Sequence, residues 1–501
     1  DELRDHLADL VPAYMVPSSI TVLDAMPRTP VGKLDRAALP DPDRAGHVAR
    51  VVEPPADDDE RAVAAIVADV LGSDPTEIGV TADFFDLGGN SLSATRVTAR
   101  ATEALGTRVG IRDLFDAPSV RGLVARIRMR APDGASTATI PLVAGPRPDF
   151  VPLSNAQQRI WFLNRFEPSS IAYTIPVVLR LVGDLDIAAL RLAIGDVLDR
   201  HEVLRTVYPS TGGRPHQQVL TVADAEPLLD WSVTDDESAV AALLRRGFDV
   251  STELPIRGRI VAVGATDHVL ALALHHIAVD GESVAPLVGD VVAAYRARAQ
   301  GVAPRFAPLP VQFADYALWQ QRVLGSVDDP ASTLGAQAAH WSSRLAGIPD
   351  VLTLPTDRPR PAVASQRGAR MQFEIPVATA SRIAEIARAH GATEFMVVHT
   401  ALAALLARVS GGDDIVVSTP VAGRGHAALD DLVGMFVNTL LLRTRVHPTM
   451  PLAELLADVR TVDVDAFAHA DLPFEHLVER LAPTRSEAFA PLSQVMLSMQ
   501  Q

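Results

Sequence analysis

Leu274-His275-His276-Ile277-Ala278-Val279-Asp280-Gly281-Glu282-Ser283 leaves one apolar run and enters another. Upstream, Arg259 to Val263 and His268 to Leu274 flank the turn-like Gly264-Ala265-Thr266-Asp267, which predicts a hairpin of buried strands. Downstream, Val284, Leu287, Val288, Val291, Val292 and Tyr295 recur at helical spacing, with Ser283 at the N-cap position. His276 therefore stands at a strand end, with the reach and pKa range of a general base. Asp280 can orient it or brace the loop, and Gly281 lets a substrate approach the backbone closely. The residues alone leave other readings open. His276 can be a satisfied core histidine. A metal pair with His275 is disfavoured, because neighbours on a strand point to opposite faces and the spacing suggests no third ligand.

Farther along, Phe395, His399, Leu402, Leu405, Leu406 and Val409 mark a second helix. Strand-like runs follow at Ile415 to Thr419 and Phe436 to Arg443, so residues 149–501 read as mixed α+β layering. Residues 57–130 read differently. Val63, Ile66, Val67, Val70 and Leu71 share one helical face, and Val120, Leu123, Val124 and Ile127 repeat the pattern after a possible N-cap at Ser119. A block this small with helices at both ends predicts a compact helical bundle. Polar or Pro- and Gly-rich stretches at 43–56 and 131–148 read as linkers.

Inside the helical block lies Asp83-Phe84-Phe85-Asp86-Leu87-Gly88-Gly89-Asn90-Ser91-Leu92. Two glycines allow a tight turn, and Ser91 follows at a helix start. An exposed hydroxyl is expected there, at a helix N-terminus that favours an arriving phosphate. On chemistry alone, Asn90 or Ser91 is equally well a plain N-cap.

Composition narrows the classes. The 501 residues suggest about three domains, and 48% apolar with 21% charged residues is globular. The absence of cysteine excludes disulfides, cysteine-ligated zinc and thiolate catalysis by the chain itself. A net charge of −16 argues against nucleic acid as a partner. No apolar run approaches the ~18 residues of a membrane helix. The charged start Asp1-Glu2-Leu3-Arg4 has no signal-peptide pattern and no initiator Met. The expectation is a cytoplasmic monomer, away from membranes, whose chain begins inside something larger.

The segment around Ser91 resembles the D-F-F-x-L-G-G-x-S-L signature of peptidyl carrier proteins, with Asn90 where His or Asp is usual. That resemblance implies a four-helix-bundle carrier domain at 57–130, with 4′-phosphopantetheine esterified to Ser91. It also implies two partners: a phosphopantetheinyl transferase and coenzyme A. Leu10 to Pro17 and Arg28 to Arg36 resemble the last two motifs of an adenylation domain, so 1–42 is expected to be its C-terminal remnant. Lys33 then matches the lysine that contacts the substrate carboxylate, and the upstream adenylation core is an expected partner. His276 lies in an H-H-x-x-x-D-G motif like that of the condensation superfamily, shared with chloramphenicol acetyltransferase. Leu153–Trp161, Arg200–Thr206, Phe313–Trp319, Val433–Thr439 and Asp471–Glu475 resemble further motifs of that family, in family order.

This resemblance implies a two-lobed α+β condensation domain at 149–501, with lobes at 149–325 and 326–501. The seventh motif departs from the family at Ser486 and Phe489, and the stop at Gln501 predicts an incomplete C-terminal lobe. By resemblance, His276 positions or deprotonates the attacking amine and His275 is structural. Asp280 pairs with an arginine, for which Arg205 is a candidate, and Asn438 supplies a polar group near the tunnel. No metal is expected. The implied reaction joins a donor on Ser91's arm, of the L type, to an aminoacyl group on a downstream carrier, in antibiotic or siderophore biosynthesis. Two rivals are a silent platform that recruits partner enzymes and an acyltransferase that uses free coenzyme A thioesters.

Overall fold

The computed structural model describes residues 52–130, 140–365, 367–481, 483–484 and 486–499. Lys33 and the whole adenylation-like segment lie outside the described residues.

The bundle comprises α1 (Asp58–Leu71), α2 (Ser91–Leu105), the short α3 (Ile111–Asp116) and α4 (Val120–Arg130). Asp57 caps α1 by accepting from the Glu60 amide, and Gly72 ends it in the left-handed region. Val63, Val67, Val120, Leu123, Val124 and Ile127 are buried together, as the helical spacing predicts, and Val97 and Leu114 join them.

The region from Asn155 onward opens with α5 (Asn155–Phe166), β1 (Thr174–Val182) and α6 (Ile187–Arg200). It continues with β2 (Asp230–Thr234), β3 (Ile256–Gly264), β4 (Asp267–His275), α7 (Val284–Arg298) and α8 (Phe313–Leu324). The four strands form one sheet in the order β1-β4-β3-β2. The expected hairpin is β3–β4, antiparallel, with an irregularity between Ala262 and Gly264. β4 is central, and Leu270 to Leu274 are at most 2% exposed, which accounts for an unbroken apolar run rather than alternation. This strand delivers its last residue, His275, and then His276 to the edge of the sheet.

The second half holds α9 (Thr333–Arg344), α10 (Val377–Ala389), α11 (Glu394–Ser410), β5 (Asp414–Val421), β6 (Asn438–Arg445), α12 (Leu452–Phe467) and α13 (Phe474–Leu481). β5 and β6 pair antiparallel. The sequence places a strand start at Phe436, yet β6 begins at Asn438. The Phe436 amide donates to the Asp280 carboxylate at 3.0 Å instead of joining the ladder. Among the described residues no single helix is long and apolar enough to cross a membrane.

Candidate active site

Gly88 has φ +98°, and a Cβ on Gly89 would lie 2.3 Å from the Phe84 ring, so this turn requires both glycines. The turn hands the chain to Asn90, whose Oδ1 accepts from the Leu92 and Ser93 amides at 2.8 and 2.9 Å. Asn90 is therefore the N-cap. Ser91 is the first helical residue, and its hydroxyl is not used in capping. The expected exposure is corrected: Ser91 is 4% exposed. Its Oγ lies 3.2 Å from Oγ1 of Thr393, the N-cap of α11. Sequence reasoning missed this because the two residues are 302 positions apart.

Around that contact the bundle docks through basic groups on acidic ones. Arg96 meets Glu282 at 3.2 Å, and Arg112 pairs with Asp465. Arg100, with a side chain 8% exposed, bridges Asp69 on its own bundle at 2.5 Å and Asp430 across the interface. Arg460 returns a bond to the Phe115 carbonyl at 3.2 Å.

His276 follows β4, and its amide donates to the Tyr173 carbonyl at 2.8 Å. Its Nδ1 lies 3.2 Å from the Met435 sulfur. Burial pulls its pKa below the ordinary value, against the raising effects of the His276 and Val279 carbonyls and the Asp280 charge. The imidazole is thus neutral at physiological pH, the form a base needs. His275 points the other way. It accepts from the Ile277 amide at 3.2 Å and packs edge-on against Phe248, and burial holds its pKa down to about 3.

Asp280 is 1% exposed and fully engaged. It accepts from the Ser283 amide at 2.9 Å, the Ser283 hydroxyl at 2.7 Å, the Phe436 amide at 3.0 Å and Arg424 at 3.2 Å. Its arginine is therefore Arg424, not Arg205. Arg424 lies over the Phe436 ring at 4.3 Å and donates also to the Leu432 carbonyl at 2.7 Å. Arg205 donates to the Leu198 and Leu220 carbonyls and closes its own loop. Ser283 stands at the N-cap position of α7 but makes no side-chain cap bond, because its hydroxyl is committed to Asp280 and the Gly434 backbone. Asn438 is also reassigned. It clamps the Ala470 and Leu472 carbonyls at 2.8 Å and accepts from the Phe474 amide, and it does not line the cavity.

One cavity of about 880 Å³ is lined by Ser91, Arg96, His276, Gly281, Thr393 and Val437, among others. A Cβ on Gly281 would meet nothing within 4 Å, so the motif glycine borders open space. This continuous, partly open space fits a covalent arm on Ser91, because the attachment residue and the base candidate both border it. A separate group, His340, Asp465 and His469, places ligand atoms within 4.8 Å of one another. Its two rings stack 3.6 Å apart with planes 5° from parallel, so their in-plane lone pairs do not converge on one ion.

A family model described as condensation domain matches residues 147–501, and one described as phosphopantetheine attachment site matches 61–127. CymA of Salinispora arenicola, described as a probable non-canonical nonribosomal peptide synthetase, is 45% identical over 100% of this chain, which spans 6% of that protein. A dimodular nonribosomal peptide synthase of Bacillus subtilis is 43% identical over 100% of the chain, which spans 21% of it. The X-domain from teicoplanin biosynthesis, solved in complex with OxyB, superposes with a TM-score of 0.65 at 34% identity, over 71% of this chain and 79% of that one. A four-domain nonribosomal peptide synthetase bound to AMP and glycine shares the fold, with a TM-score of 0.61 at 23% identity, over 71% of this chain and 27% of that one. The chain belongs to the condensation-domain family of nonribosomal peptide synthetases and carries a phosphopantetheine-attachment domain on the N-terminal side of its condensation domain.

Proposed function

We propose that this piece forms an amide bond between a donor tethered at Ser91 and an aminoacyl acceptor. The observation that carries the proposal is the single cavity bordered by both Ser91 and His276. When bound, 4′-phosphopantetheine supplies a flexible arm whose thiol holds an acyl group as a thioester. Ser91 Oγ anchors that arm at the Thr393 end of the cavity. The neutral His276 imidazole orients the incoming amine and holds the proton it loses. Asp280, clamped by Arg424, fixes the turn that carries Gly281 and the loop that carries Met435. Proximity within the enclosure supplies much of the acceleration.

The finer reading is also proposed. The donor is of the L type. Ser91 is loaded by a phosphopantetheinyl transferase from coenzyme A, the acceptor arrives on a downstream carrier, and an adenylation core, with Lys33, lies upstream. Docking of the chain's own bundle onto the cavity speaks against free coenzyme A thioesters as donors. A second reading, a platform that binds another enzyme, draws on the likeness to the X-domain solved with OxyB. The test loads Ser91 with an acyl-pantetheine group by means of a phosphopantetheinyl transferase, then offers an aminoacyl carrier. Mass spectrometry should show the acyl mass leave Ser91 and join the acceptor. Loading without transfer would favour the platform.

A further inference from the structure

We propose that Glu282 selects the carrier that delivers the donor: it admits a carrier domain with a cation five residues after the modified serine and turns away one with an anion there. Arg96 holds that place in this chain, on the second turn of α2. Its Nη2 lies 3.2 Å from the Glu282 carboxylate, and both residues border the cavity that Ser91 and His276 also line. Among the described residues this is the one ion pair between the bundle and the turn from His276 to Ser283. The transfer reaction asks nothing of a carboxylate at 282, so its contact with the bundle is the role the geometry leaves it.

The turn presents Glu282 as a fixed charge. Asp280 before it is held by Arg424 and the Phe436 amide. Ser283 after it is committed to Asp280 and the Gly434 backbone. Asp280 and Ser283 are both buried, so the turn has little room to carry the Glu282 carboxylate away. Arg96 is confined as well: its Nε is buried without a hydrogen-bond partner among the described residues. Opposite charges set here favour docking modestly, because Glu282 is half exposed. Like charges would meet across the same short distance with little room to part, and such repulsion is how an interface excludes wrong partners. Arg100, four residues farther along the same helix face, meets Asp430. The platform thus reads two positions of α2. Of the two readers only Glu282 belongs to the turn that carries His276. A carrier with Asp or Glu five residues after its serine is refused as donor, whatever acyl group it bears.

This inference rests on the proposed transfer reaction, and its test reads docking apart from transfer so that the two can fail separately. In the full chain, energy transfer between a dye on the bundle and one on α10 gives the docked-to-undocked ratio. Arg96→Glu should lower that ratio about 5- to 30-fold, and Glu282→Arg should do the same. The two substitutions together should return it to within about threefold of wild type. Glu282→Gln, nearly the same in shape, should lower it only about 2- to 5-fold. Single-turnover transfer from a loaded Ser91 should fall and recover in the same order. Loading of each variant by a phosphopantetheinyl transferase, at least as fast as in wild type, shows that the bundle has folded. Docking of Arg96→Glu within twofold of wild type, or a double variant no better than the single ones, would overturn the proposal. So would a transfer rate that falls in Glu282→Gln while docking holds, since Glu282 would then serve the turn rather than the carrier. Absence of transfer in wild type, with the docking pattern intact, would sink the reaction and leave the selection standing.

Discussion

Replacing Arg100 tests what holds the carrier over the cavity. Its guanidinium is 8% exposed, while Asp430 across the interface is 37% exposed and Asp69 on the carrier itself is 72% exposed. Arg100→Met keeps the stem and removes the charge. Both carboxylates can then reach water, so no buried orphan is left, and the loss lies below that of a fully buried pair. A charge-assisted bond half open to solvent is worth about 1–2 kcal/mol. At about 1.4 kcal/mol per decade, the docked-to-undocked ratio should fall about 5- to 30-fold. The chain has no cysteine, so two introduced at exposed Ser73 and Ser381 accept a dye pair cleanly. Single-molecule energy transfer then counts the two populations. Asp430→Asn should reproduce the loss, and the double variant should add little to it. Asp69→Asn should leave docking nearly unchanged. Added salt should also undock the wild type, since among the described residues three arginine–carboxylate pairs span the interface. A ratio in Arg100→Met within twofold of wild type would refute this account of docking.

Because docking buries Ser91, Arg100→Met should be loaded by a phosphopantetheinyl transferase several-fold faster than wild type, read as mass gain over time; equal rates would contradict the burial. Asp280→Ala leaves Arg424, with a side chain 2% exposed, without its counter-charge. It should cost about 3–5 kcal/mol in chemical denaturation, whereas Arg205→Ala should cost much less. For His276, burial depresses the pKa, so the neutral base persists below the ordinary histidine value. The acceptor amine titrates in wild type and variant alike, so the ratio of wild-type to His276→Ala transfer isolates the histidine. That ratio should hold on acidification from pH 8 to about 6.5, the ordinary histidine value; a loss of the ratio above it would contradict the burial. His275 is held at about 3, so below the unfolded value of about 6.5 the unfolded chain binds the extra proton and stability falls with pH. The loss should reach roughly 2 kcal/mol at pH 5, and His275→Gln should remove that part of the slope.

The parts of the site legible in the sequence are those set by local pattern. The β3–β4 hairpin, the helix after Ser283 and the bundle's buried face follow from spacing over a few residues, and the structure has them. The Ser91 turn is equally local, since its glycines and the Asn90 cap lie within four residues. The partners were not legible, because they come from distant segments. Asp280 is 144 positions from Arg424, and no spacing rule separates that arginine from Arg205. Arg205 is a candidate on the sequence, but the carbonyls of Leu198 and Leu220 occupy it. Asn438 shares a motif with Met435, yet faces the turn before α13 while Met435 faces the histidine. The only available hint was that Val433 to Thr439 begins as a loop, because Gly434 interrupts the apolar run before the strand. The burial of Ser91 depends on how two domains meet, and the sequence of neither shows that by itself.

The most direct test of the central claim is a single-turnover chase on the full chain. Ser91 is loaded with an acyl-pantetheine group, an aminoacyl carrier is added, and intact mass is followed for wild type and His276→Ala. The account predicts equal loading of both proteins, with transfer reduced at least about 100-fold in the variant, the scale of a lost general base. Equal transfer by both would contradict it, because Ser91 and His276 would then share a cavity without sharing a reaction.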